Sequence, residues 1–73
     1  MKIVDDEIIK IIRKHTQYQD KLNEDTLLSL LEMSSLSFIA LIVDLEDFFN
    51  VEVGNEQLNI SRYNTVGELL KIF

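Results

Sequence analysis

Val4, Ile8, Ile11 and His15 fall at helical spacing, with Ile12 beside them, which predicts a first helix from about Val4 to Lys14. Asp5, Asp6 and Glu7 crowd its first turn and Arg13, Lys14 and His15 its last, so the charges match the helix dipole at both ends. Residues 16 to 34 break the period. Gln17, Gln19, Asp20, Asn23, Glu24 and Asp25 make a polar first half; Thr26-Leu27-Leu28-Ser29-Leu30-Leu31 follows as an apolar run. Leu27, Leu28 and Leu31 are read as pins that fix this long connection to the core, through one helical turn.

The strongest element is a second helix from Ser35 to Asn50, with Ser34 as its N-cap. Advancing about 100° per residue puts Phe38, Leu41, Ile42, Leu45 and Phe49 on one side, the expected core face. Leu36, Ile39, Ala40, Val43, Glu46 and Asp47 lie on the other. A solvent-facing stripe is normally polar, yet this one is apolar in its middle and acidic only at its end. Val51 to Val53 reads as extended, and Gly54-Asn55 as a turn. A short helix is expected within Glu56 to Arg62, carrying Leu58 and Ile60. Thr65 caps the last helix, with Glu68 three residues on as in a capping box, and Val66, Leu69, Leu70, Ile72 and Phe73 form its apolar face. Tyr63 and Val66 bridge these two segments. The expected fold is all-α: a small antiparallel bundle of three main helices plus one short helix, forming a single domain over residues 1–73.

Composition narrows the function. Seven Lys and Arg against thirteen Asp and Glu give a net charge of -6, which disfavours nucleic acid as a partner. A basic partner surface is the natural complement. The chain has no Cys, so it has no disulfide, no thiolate nucleophile and no Cys-based metal site. Any thiol chemistry must be imported. With no Pro and only Gly54 and Gly67, there is no glycine-rich phosphate loop. No apolar run approaches the ~20 residues that span a bilayer. The N-terminus turns acidic at once, unlike a signal peptide, so a cytoplasmic protein is expected, with no membrane insertion.

Catalysis has little support. His15 is the only histidine, and at a helix C-terminus it reads as a dipole-compensating or partly buried structural residue. The acid pairs Asp5-Asp6, Glu24-Asp25 and Glu46-Asp47 are sequence neighbours that read as solvated surface or caps, and none is spaced as a calcium loop. No residue is assigned a catalytic or metal-binding role. Ser34 and Ser35 are more informative. Either can cap the second helix, and a helix N-terminus also favours a phosphate.

From Leu31 to Leu41 the sequence Leu-Glu-Met-Ser-Ser-Leu-Ser-Phe-Ile-Ala-Leu resembles the modification site of the acyl carrier and peptidyl carrier protein family, whose usual form is Leu-Gly-x-Asp-Ser-Leu. The continuation from Ile42 to Val53 is similar to that family's acidic second helix and its exit, and Asn64 to Leu70 to the start of its last helix. The likeness spans nearly the whole chain and is tightest from Leu31 to Val53. It implies a carrier that is not an enzyme. Ser35 matches the serine that receives 4'-phosphopantetheine from coenzyme A, and the arm's thiol then holds an acyl, aminoacyl or peptidyl group as a thioester. Leu36, Ile39, Val43, Glu46 and Asp47 match the partner-docking face, where apolar contacts anchor while acids meet basic residues. The implied partners are a phosphopantetheinyl transferase, an acyl- or aminoacyl-loading enzyme and a downstream synthase or transferase, with a monomeric carrier between them.

Four positions depart from the family's usual form. Ser34 stands in place of Asp, Glu32 in place of Gly and Ala40 in place of a common Glu, and Ser37 is neutral where some members are acidic. They point away from the enzymes of fatty-acid synthesis and toward a stand-alone carrier of polyketide, peptide or cell-envelope chemistry. The alternative they raise is a carrier-like protein-interaction module without the cofactor. A small helical regulator unrelated to carriers is the remaining class.

Overall fold

The computed structural model describes residues 5–73, which fold within 29 × 26 × 19 Å. Three α-helices and no strand form among the described residues: α1 (Asp6–Arg13), α2 (Ser35–Phe49) and α3 (Val66–Leu70). None is long and apolar enough to cross a membrane. The expected all-α fold is observed.

Helix α1 starts two residues later than its apolar spacing suggests. Asp5 takes an extended backbone and its carboxylate accepts from the Ile8 N–H at 3.0 Å, so it caps the helix from outside. Val4, expected at this helix's start, lies outside the described residues. Ile8 and Ile12 face the core.

In the long connection, Leu28–Leu31 form a 3-10 turn. Its three-residue period separates two pairs. Leu28 and Leu31 are buried, while Leu27 and Leu30 are about half exposed. The expectation that Leu27 pins the loop is therefore corrected; Leu22 takes that place and is buried. The loop is also held by backbone. Leu27 and Thr65 form an isolated antiparallel bridge, in which the Leu28 N–H donates to Asn64 O and the Val66 N–H to Thr26 O, both at 2.9 Å. The Gly67 N–H donates to Glu24 O at 2.9 Å, and a Cβ on Gly67 would lie 3.0 Å from that oxygen and 3.1 Å from Glu24 Cβ. Glycine lets the two backbones approach this closely without a neighbour having to shift.

The buried face of α2 is the predicted one: Phe38, Leu41, Ile42 and Leu45 are buried, and Phe49 is half-buried against the Phe73 ring. They pack with Ile8, Ile12, Leu31, Val66, Leu69 and Leu70 into one core. Fully burying each such side chain is worth about 1.5–3 kcal/mol, and this carries a fold whose last helix is a single turn and a half. The short helix expected within Glu56 to Arg62 is instead two 3-10 turns, Asn55–Gln57 and Ile60–Arg62. Asn59 divides them. Its backbone is extended and its side chain accepts from the Ser61 N–H, a local turn that competes with helix. Thr65 caps α3 by accepting from the Glu68 N–H at 3.1 Å, but Glu68 reaches back to the Asn64 N–H, one residue before the usual partner of a capping box.

Candidate functional site

The site is the start of α2 and the turn that feeds it. Glu32 has a left-handed backbone, φ 50° and ψ 41°. That conformation ends the Leu28–Leu31 turn and sends Met33 and Ser34 toward the helix. It favours glycine, so the glutamate here stores strain. Thr16 secures the same corner: its hydroxyl donates to Leu31 O at 2.6 Å and accepts from the Tyr18 N–H at 3.2 Å.

The two serines are separated by geometry. Ser34 is the cap, with extended backbone, and its Oγ accepts from the Ser37 N–H at 3.1 Å while donating to Ser37 Oγ at 3.2 Å. Ser35 is the first helical residue, is exposed, and takes no part in the cap. Its hydroxyl stands beside the free N–H groups of a fifteen-residue helix whose first turn contains no acid. A phosphodiester on that oxygen meets favourable dipoles and no carboxylate from the helix's first turn. These residues fit such a group.

Below Ser35 the outer stripe of α2 is apolar and open. Leu36 is 80% exposed, Ile39 37% and Val43 49%. Ala40 is exposed between them. Beside the stripe lies an open groove of about 910 Å³, walled by the end of α1, the loop and α2; Lys14, His15, Leu30, Glu32, Leu36 and Ala40 are among its lining. Leu30, which the sequence reading left out, brings a second exposed leucine to this face. Leu27 and Leu30 are spaced by three, as are the buried Leu28 and Leu31.

The acids at the lower end are less free than their sequence suggests. Glu46 is half-buried, and its Oε2 accepts from the Val53 N–H at 2.7 Å, fastening the segment that leaves the helix. Asn50, left-handed at φ 58°, turns the chain so that this contact forms. Asp47 is exposed. Asp44, not singled out from the sequence, is held by the two residues that follow α1. Its Oδ2 lies 2.6 Å from His15 Nε2 and 3.5 Å from Lys14 Nζ. The His15 hydrogen bond, helped by the Lys14 charge and opposed by partial burial, keeps the Asp44 carboxyl below its ordinary value of 3.8. His15 is partly buried in this contact. No cluster of three or more metal-ligating side chains occurs among the described residues.

The family model described as "Phosphopantetheine attachment site" matches residues 6–73, nearly the whole chain. No curated protein and no solved structure matches it.

Proposed function

The chain belongs to the phosphopantetheine-attachment family, and from that premise we propose that it is a carrier protein whose arm is joined to Ser35. The family's covalent prosthetic group is 4'-phosphopantetheine. When bound, it supplies the thiol that a chain without cysteine lacks, on which an acyl, aminoacyl or peptidyl group rides as a thioester. The observation that carries the assignment to Ser35 is the division of labour at α2: Ser34 makes the cap, and the exposed Ser35 hydroxyl is left over.

In this reading the chain performs no catalysis. It presents its cargo to a phosphopantetheinyl transferase, a loading enzyme and a downstream synthase or transferase. These dock on Leu36, Ile39 and Val43, with Glu46 and Asp47 on the same side of α2. The neutral Ser34, Ser37 and Ala40 support a specialised pathway over fatty-acid synthesis. Ser34 in place of the usual Asp also favours a second reading, an interaction module that has given up the arm.

Intact mass before and after incubation with coenzyme A and a broad-specificity phosphopantetheinyl transferase tests both. The expected result is a gain of one phosphopantetheine arm in the parent and in Ser34→Ala, and none in Ser35→Ala. A folded protein that gains nothing with several transferases supports the second reading.

A further inference from the structure

The charge on α2 is arranged unlike the charge on the rest of the molecule. From Ser34 through Val43 no side chain is ionisable. The next residue, Asp44, is already answered from within by His15 and Lys14. Glu46 spends a carboxylate oxygen on the Val53 N–H. Among the described residues that leaves Asp47 as the one exposed acid with no partner on this side of α2, and it lies four residues below Val43, about 6 Å further along the axis. The other acids lie elsewhere: Asp5, Asp6 and Glu7 at the start of α1, Asp20, Glu24 and Asp25 in the loop, and Glu52, Glu56 and Glu68 beyond α2. Across the groove, the charged lining is Lys14 and His15 against Glu32. A basic side chain approaching there meets a cation as well as an acid.

Resting on the carrier reading, we infer that the enzymes which dock on α2 present an apolar, uncharged surface to it and not a basic one. The contact is seated on Leu36, Ile39 and Val43 and extends over the groove to Leu30. Two arguments fix the chemistry of the occupant. Covering the exposed leucines and the β-branched pair with other apolar groups removes apolar surface from water and favours the contact. A lysine or arginine placed over the stretch from Ser34 to Val43 would lose hydration and find carboxylates only at its two ends, Glu32 and Asp47, so that cost is poorly compensated. The net charge of -6 still attracts basic molecules from a distance. That steering is screened over about 8 Å at physiological salt, so it is separable from contact pairing.

The test is the steady-state KM of this chain with two unrelated broad-specificity phosphopantetheinyl transferases, each reaction followed by intact mass. Between about 0.15 M and 0.6 M NaCl, where steering is already screened, KM is expected to change less than about twofold. Val43→Asp is expected to raise KM about tenfold at both salt concentrations, as loss of an interface anchor does. Ala40→Glu is the discriminating variant. A carboxylate set into an apolar contact raises KM, whereas one offered to a basic partner lowers it. Ala40 and Val43 are exposed, so both variants are expected to fold, which melting curves would check. Modification of Ser35 with a KM that climbs steeply with salt, or that Ala40→Glu lowers, leaves the carrier reading standing and overturns this inference. No modification of the folded parent by either enzyme counts against the carrier reading, and the inference falls with it.

Discussion

Glu32 holds a left-handed backbone that its residue type disfavours, whereas Asp44 lies against two basic side chains that favour its charged form. A non-glycine residue in the left-handed region carries strain of about 1–2 kcal/mol. Glycine there relieves it, and loses part of the gain to its freer unfolded chain. Glu32→Gly is expected to raise stability by about 0.5–1 kcal/mol, read as a higher midpoint in urea. An unchanged or lower midpoint would show that the glutamate side chain earns its place by a contact. Asp44 makes a pH prediction. Its carboxyl titrates lower in the folded protein than in the unfolded chain, so its contribution is complete above the ordinary carboxylate value of 3.8 and is lost as pH falls through the lower folded value. Asp44→Asn is expected to cost about 1 kcal/mol at neutral pH, a modest figure because the pair is partly exposed. The cost should shrink as pH falls below 3.8 and vanish once the folded carboxyl is protonated. Melting curves of both proteins across that range check it, and a difference that persists in acid would point to packing.

Among the elements, α2 depends on a neutral cap. Removing the Ser34 hydroxyl in Ser34→Ala should cost about 1 kcal/mol, or roughly 4–8 °C in Tm for a domain of this size. A smaller loss would mean that Ser35 can take over the cap. This element was the most legible part of the sequence. Its apolar period, its cap and its end at Asn50 all follow from spacing and residue type. The start of α3 was legible for the same reason, through Thr65. The segment from Glu56 to Arg62 was not. Leu58 and Ile60 lie two apart, a spacing that does not mark a helical face, and the turn at Asn59 depends on where its side chain points. Leu27 misled because an apolar run does not reveal that a three-residue turn will bury alternate pairs. The His15–Asp44 contact joins residues 29 apart in sequence, and the Glu46–Val53 bond needs the chain reversal at Asn50. Neither leaves a local signature. The position of Ser35 was therefore readable, while the true disposition of charge around it required the packed molecule.

The whole molecule carries its excess of acid at the start of α1, in the loop and in the segments after α2. Repulsion among these groups opposes compaction and is weakened by added salt. With no cluster of metal ligands among the described residues, cations are expected to act by screening. NaCl and MgCl2 at equal ionic strength should raise Tm equally. A rise that saturates at micromolar Mg would reveal a site instead. The backbone bridge between the loop and α3 has a further consequence. A helix of five residues is far below the length that persists in water on its own, about 12–15 residues. Helix α3 therefore exists only while Thr26, Glu24 and Asn64 keep their bonds, and the loop is held by the same bonds. The two make one cooperative opening unit. Amide protons of Leu28, Val66 and Gly67 are expected to exchange with solvent at a common rate, faster than those in the middle of α2. Whatever loosens the last helix also unfastens the strap that delivers Ser35 to the surface.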